Sequence, residues 1–373
     1  MKVLSIHNTI PEYRVAFFRE LSKLVDLEIM MTEHELAFDI YSLNVKFPKD
    51  LSVVYMVNKG KMINKLLMSK KYDLVVLPPI DNFYQMQYAF RVLAVCYKRK
   101  MKTVYWTEKW EQERRLQPVK KRLKNWLPSK AIRYFAHRVD RCVAAGRKLK
   151  LYYIELGIPA EKISVAVDSS TSIPCPSVAD IRSQYRIPDG GKVILFLGRL
   201  VKRKGCEILM EAFRQIVSEC GDTYLLICGD GEEKERLATI AAGNERIVFV
   251  GKVEQDKRAA YYRQSDVFVL PSFSFGGVIE AWGLTVNEAL EQGTPVVTTS
   301  AVGAAYDLAD GKCCLMVEEN DAHALANGIL SVLSKGGMAK ECMKHYEAYS
   351  VRNMAECFYD TFSIVLNMKG CMR

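Results

Sequence analysis

Short apolar runs of strand length recur along this chain, each followed by enough residues for one helix, and the series runs through twice. KVLSI (2–6), LEIMM (27–31), LSVVYMV (51–57), LVVLP (74–78), KTVYW (102–106), RCVAA (141–145) and ISVAV (163–167) form the first series. KVILFLG (192–198), YLLICG (224–229), RIVFVG (246–251), VFVLP (267–271), PVVTT (295–299) and CLMV (314–317) form the second. Unbroken apolar runs bounded by turn residues suit strands buried on both faces, and helical crossovers between them make the strands parallel. TSIPCPSVAD (171–180), with two prolines, reads as the linker between the series. A length of 373 residues exceeds one ordinary core. The expected fold is α/β, with two Rossmann-like domains at 1–172 and 173–349. Met354, Phe358, Phe362 and Val365 add an amphipathic helix in the segment 350–373.

Charge is unevenly distributed. Residues 1–170 carry 31 Lys and Arg against 17 Asp and Glu, whereas the rest carry 22 against 26. The stretch 91–150 alone holds 19 basic and 4 acidic residues, a statement about partners rather than fold. No apolar run approaches the roughly 18 residues a membrane helix needs, and the four residues between Lys2 and His7 are too few for a signal-peptide core. The expected location is therefore cytoplasmic, with a peripheral place on the inner face of the membrane left open by the basic stretch. The eleven cysteines are scattered without C-x-x-C spacing and read as reduced structural thiols.

The unusual residues of the second series fall at strand ends, where open α/β sheets bind ligands. Gly198-Arg199-Leu200 follows the first of its strands and Lys204-Gly205 opens the next helix. Gly229-Asp230-Gly231 follows the second strand, Gly251 ends the third, and Gly283-Leu284 begins a later helix. A helix N-terminus with fixed cations beside it suits a diphosphate, and Arg199 and Lys204 supply the cations. Taken singly, both could be solvated loop residues, and G-x-G serves many turns. Glu280 and Glu288, with seven residues between them, would accept hydrogen bonds from sugar and ribose hydroxyls. Glu280 is expected in the loop and Glu288 in the first helical turn. The simpler alternative for Glu288 is complementing the helix dipole.

GRLVKRKG (198–205), ICGDGEE (227–233), VFVGKV (248–253) and EAWGLTVNEAL (280–290) resemble the donor half of the family 4 retaining glycosyltransferases of GT-B fold. The resemblance covers about 192–335 and implies two domains facing each other across a cleft, with the C-terminal helix packing back on the first. It implies that Arg199 and Lys204 hold the diphosphate and that Glu288 binds the ribose. Glu280 would contact the donor sugar, the Gly283 and Leu284 amides would face sugar or phosphate, and Gly251 and Lys252 would sit beside the base. Gly198 and Gly229 complete the donor set. The nucleotide-sugar is then a co-substrate, with no separate cofactor. The absence of D-x-D leaves no metal bridge expected, and the anomeric configuration would be retained.

The first half departs from the family pattern. HNTIPEYR (7–14) stands where many relatives carry a glycine pair, and Thr107-Glu108 stands where many carry a histidine. His7, Tyr13, Arg14 and Glu108 are the acceptor-side candidates, and His7 joins Glu280, Arg199 and Lys204 as a candidate catalytic residue. His7 could equally be a structural histidine. The expected acceptor is a glycan or lipid-linked hydroxyl, in surface polysaccharide or glycolipid synthesis. VKKRLKNWLPSKAIRYFAHR (119–138) has the lysines, tryptophan and leucines of an interfacial helix, which brings an anionic membrane surface in as a partner. The alternative is a helix packed on the domain with its charges solvated, and Pro128 leaves its continuity open. Two other classes remain: a non-catalytic sugar-nucleotide sensor, and a nucleic-acid binder using 91–150. No nucleic-acid motif accompanies the basic run, so nucleic acid is not an expected partner.

Overall fold

The computed structural model describes residues 1–8, 10–32, 49–55, 67–68, 72–80, 83–108, 110, 118–170 and 180–367. The chain forms two compact units, one holding Met1–Trp110, Gln117–Thr171 and Ser350–Arg373, the other holding Ser172–Tyr349. The linker expected at 171–180 lies outside the described residues except for Asp180, whose carboxylate caps a short helix by accepting from the Ser183 amide.

The first unit contains β1 (Lys2–His7), α1 (Glu12–Leu24), β2 (Asp26–Met31), β3 (Ser52–Tyr55), β4 (Leu74–Leu77), α2 (Phe83–Lys98), β5 (Lys102–Thr107), α3 (Val119–Arg138), β6 (Arg141–Ala144), α4 (Arg147–Glu155) and β7 (Ile163–Val165). The seven strands lie in the order β3-β2-β1-β4-β5-β6-β7, and every pair is parallel. Of the expected strand at 51–57, positions 56 and 57 lie outside the described residues. The basic stretch is one helix that runs through Pro128 without a break.

The second unit contains α5 (Ile181–Gln184), β8 (Lys192–Leu197), α6 (Cys206–Glu219), β9 (Thr223–Cys228), α7 (Lys234–Ala241), β10 (Ile247–Gly251), α8 (Arg258–Arg263), β11 (Val267–Leu270), α9 (Leu284–Glu291), β12 (Val296–Thr299), α10 (Ala305–Leu308), β13 (Cys314–Val317), α11 (Ala322–Lys335) and α12 (Ala339–Glu347). Its six parallel strands lie in the order β10-β9-β8-β11-β12-β13. The strand order therefore reverses between β8 and β11, and the loops leaving those two strands flank one crevice in the manner of doubly wound sheets. The inner faces of α6 and α11 bury Leu209, Phe213, Ile329 and Val332 with Ile194, Leu225 and Val269 of the sheet.

The helix α13 (Val351–Val365) returns to the first unit and packs along α1. Ser350 caps it by accepting from the Asn353 amide. Its apolar stripe of Met354, Phe358 and Phe362 shares one core with Phe17, Phe18 and Trp106, and the Phe358 ring lies 4.9 Å from Phe17 and 5.0 Å from Trp106. The nine described cysteines are free thiols, and burial lifts Cys96, Cys142 and Cys206 to about 12.

Candidate functional site

Backbone contact between loops shapes the crevice of the second unit. A Cβ on Gly229 would stand 1.8 Å from the Gly198 carbonyl oxygen, and one on Gly205 would stand 1.9 Å from that of Pro271. The loop after β9 is thereby pressed on the loop after β8, and the start of α6 on the end of β11. The Gly198 amide donates to the Cys228 carbonyl and the Gly229 amide to that of Gly251, which ties three strand ends together. At this junction a single 3₁₀ turn, Lys202–Lys204, carries Arg203 and Lys204 inward and leaves Lys202 exposed.

Glu280 receives the two inward cations. One carboxylate oxygen, Oε2, accepts from Arg203 Nη1 at 2.6 Å and from Lys204 Nζ at 2.7 Å. Burial pushes the Glu280 carboxyl up, but Lys204 and Arg203 overcome it and hold the group below its usual range. Burial pulls the Lys204 ammonium down, against the pull of Glu280 and assisted by the charges of Arg203 and Arg199. Arg199 is exposed on the same loop. Arg203 carries no signal of its own within a Lys-Arg-Lys run, and only the fold picks it out as the second cation on Glu280.

The residues Glu280 to Ala304 form a folded ledge beside this cluster. The Glu280 amide donates to the Ala301 carbonyl, and its own carbonyl accepts from the Gly303 amide. Gly283 precedes α9 with φ 99°, and a Cβ there would stand 2.9 Å from Leu270 and Val302 side chains, so no other residue fits the turn as built. No side chain caps α9, which leaves its N-terminus, at Leu284, to other acceptors. Trp282 is buried, and its indole N–H donates to Asn287 Oδ1 at 2.9 Å. Glu288 lies in the second turn of α9, not the first, because the helix begins only at Leu284. It is buried, and its carboxylate accepts from the Tyr262 hydroxyl at 2.8 Å and from Arg258 Nη1 at 3.4 Å. Burial raises the Glu288 carboxyl in spite of those partners. Gly251 ends β10 with open space where a Cβ would be, and Lys252 beside it is exposed.

The acceptor-side candidates gather at the carboxyl end of the first sheet, with one correction. Arg14 is fully buried, so it has no free face to offer an acceptor. Its guanidinium donates through both terminal nitrogens to Asp168 and also pairs with Glu108. It lies 5.0 Å from the Tyr13 ring and 5.3 Å from that of Trp106. Burial raises the Asp168 carboxyl against the effect of Arg14. Arg14 is therefore an internal brace, and Glu108, whose side chain is 30% exposed, is the part of it that meets solvent. His7 stands beside Trp106 at 5.3 Å and edge-on to Phe18 at 6.1 Å. Nothing near Asp168 in the chain announces a partner 154 residues away.

Two doubly wound parallel sheets, the second with clustered cations and a glycine-led helix at its switch point, define the GT-B class of fold. Solved structures agree on the fold: that of Anabaena HepE in complex with UDP matches with a TM-score of 0.73 at 16% identity, over 98% of this chain and 100% of that one. Residues 177–348 match the family described as glycosyl transferases group 1. Among relatives, an uncharacterised glycosyltransferase of Methanocaldococcus jannaschii is 30% identical over 199 residues, 51% of this chain and 50% of that protein. A phosphatidyl-myo-inositol mannosyltransferase of Mycobacterium leprae is 32% identical over 171 residues, 46% of this chain and 45% of that one. The chain thus spans about half the length of the curated relatives it matches.

Proposed function

We propose that the protein is a retaining glycosyltransferase that moves a hexose from a nucleoside-diphosphate sugar to a hydroxyl of a glycan or lipid-linked acceptor. The observation that carries this reading is the Glu280 carboxylate clamped by Lys204 and Arg203 beside the uncapped start of α9. A dianionic diphosphate entering there meets Lys204, Arg199 and the helix N-terminus, while Glu280 keeps its second oxygen for a sugar hydroxyl. Glu288 takes the ribose hydroxyls, with Gly251 and Lys252 beside the base. As the bond from the anomeric carbon to the β-phosphate oxygen breaks, the sugar becomes oxocarbenium-like and the leaving diphosphate gains charge. Fixed cations and amides stabilise that charge without reorganising. The acceptor oxygen bonds the anomeric carbon from the same face, and its proton passes to the departing phosphate.

The names of two similar proteins support the choice of first probes. HepE was solved with UDP and with UDP-glucose, and the M. leprae relative is named for a phosphatidylinositol acceptor. A thermal-shift screen of UDP, GDP and their sugars tests the donor site directly. A nucleotide at 100 times its dissociation constant adds about 2.7 kcal/mol, and no shift with any of them overturns the reading. Donor turnover in the absence of acceptor separates an enzyme from a sugar-nucleotide sensor. An acceptor presented at an anionic cytoplasmic membrane surface follows from the basic excess of 91–150, while among the described residues no helix is long and apolar enough to cross a membrane.

A further inference from the structure

Between α2 and α3 the surface of the first unit opens into a groove of about 520 Å³. Phe90, Leu93, Ala94, Tyr97 and Tyr134 line it, with Lys98 and Arg138 as its two cations and no carboxylate among the lining residues. Its volume falls within the range of ligand pockets, roughly 300–1,000 Å³. The Tyr97 side chain is 78% exposed at its edge. On α3, Leu123 and Leu127 are exposed and stand in one row with the groove residues Tyr134 and Arg138, at four- and seven-residue spacing, while Ile132 and Phe135 are buried on the inner face. Trp126 is half exposed beside this stripe with the Lys130 ammonium 4.0 Å from its ring.

We propose that this groove seats one hydrocarbon chain of an anionic phospholipid, with Lys98 and Arg138 on the phosphate and the α3 stripe on the surrounding bilayer surface. The lining decides the class of ligand. A peptide would need partners for its backbone amides, and the groove offers no carboxylate and no described backbone edge for them. A nucleic-acid base would need an open aromatic face. The Tyr134 face is covered by the Arg138 guanidinium at 3.7 Å and Phe90 packs edge-on against Phe135 at 4.5 Å, which leaves Tyr97 as the one open ring, where single strands stack successive bases on several. A hydrocarbon chain needs neither, and the two cations complement an anionic head group. The groove lies in the first unit and its occupancy is independent of the donor site.

Ala94 is exposed in the groove, so Ala94→Trp fills it without disturbing the core. Co-sedimentation compares the full chain and this variant on vesicles of phosphatidylcholine alone and of phosphatidylcholine with phosphatidylglycerol, at low and high salt. The expected result is binding to the anionic vesicles only, weakened about tenfold by Ala94→Trp and lost in the double variant Lys98→Glu, Arg138→Glu. High salt should weaken the wild-type binding, because the contacts of Lys98 and Arg138 with the head group are screened. Equal binding by wild type and Ala94→Trp overturns the proposal, as does absence of binding at low salt. Retention of single-stranded RNA in place of vesicles, abolished by Ala94→Trp, overturns it too. The UDP thermal shift, measured on the same samples, reports folding and the donor site separately from the lipid result.

Discussion

Lys204 has two possible partners, a protein carboxylate and an incoming phosphate, whereas the Arg203 guanidinium pairs with Glu280. If diphosphate draws Lys204 away, Arg203 remains to keep Glu280 ionised and aimed. Arg203→Gln should therefore lower kcat on the order of 10²-fold, as a displaced reacting group does, with UDP affinity little changed. Because Arg203 helps hold the Glu280 carboxyl down, its removal should move the acid limb of kcat/KM to higher pH, and Arg203→Lys should restore much of it. An acid limb in the same place for wild type and Arg203→Gln would show that Glu280 is held by Lys204 alone. Lys204→Ala should cost about 10²-fold with the fold intact. The linkage for stability has opposite signs at the two glutamates. Glu280 has a depressed folded value, so its ionised pair stabilises the protein above the ordinary carboxylate range and the contribution fades as pH falls through the depressed value. Glu288 has a raised one, so its ionisation costs stability as pH climbs from the ordinary range through the raised value. Glu288→Gln should then melt no lower than wild type at neutral pH while binding UDP more weakly, which calorimetry with and without UDP checks. Glu280, Glu288 and Lys204 were legible because their spacing is local. Arg203, Tyr262, Arg258 and Asp168 were not, because each is defined by a partner brought near only by the fold.

Elements were legible where their burial is local. The apolar runs at 192–198 and 224–229 became β8 and β9 to within a residue, since a strand covered on both faces needs no outside information to be apolar. Glycine positions were legible as loops but not as contacts. Gly229 marks a turn in the sequence, yet only the structure presses it on Gly198. Gly229→Ala should destabilise the second unit by about 3 kcal/mol or more, measured by denaturant unfolding, because backbone rather than a flexible side chain must yield. The helix α3 is the contrary case. Proline at 128 left its continuity open, and nineteen neighbours with a packed inner face through Ile132, Phe135 and Ala136 carry the helix across it. On α13 the apolar stripe was plain from the residues themselves, whereas its docking on the first unit followed only from the family resemblance. Phe358→Ala, which removes a ring touching Phe17 and Trp106, should cost about 3–5 kcal/mol.

At the scale of the molecule, the two units divide the labour by charge. The first carries more than the whole basic excess, the second being net acidic and holding the cluster of Glu280, Arg203 and Lys204. Transfer should survive excess chelator and yield a product of retained configuration, checked by NMR coupling constants. Activity lost to chelator and restored by magnesium would place a metal in the site, and inversion would remove the retaining assignment. The return of α13 to α1 also sets an order of events during synthesis. The ribosome makes β1 to β7 first, at about 5–20 residues per second, but the face of Phe17, Phe18 and Trp106 stays uncovered until Phe358 and Phe362 follow the whole second unit out of the exit tunnel. The earlier-made unit is therefore the later to finish. A nascent chain stalled near residue 349 should hold a protease-resistant second unit beside a first unit that is still digestible, and it offers chaperones their longest-lived apolar surface along α1.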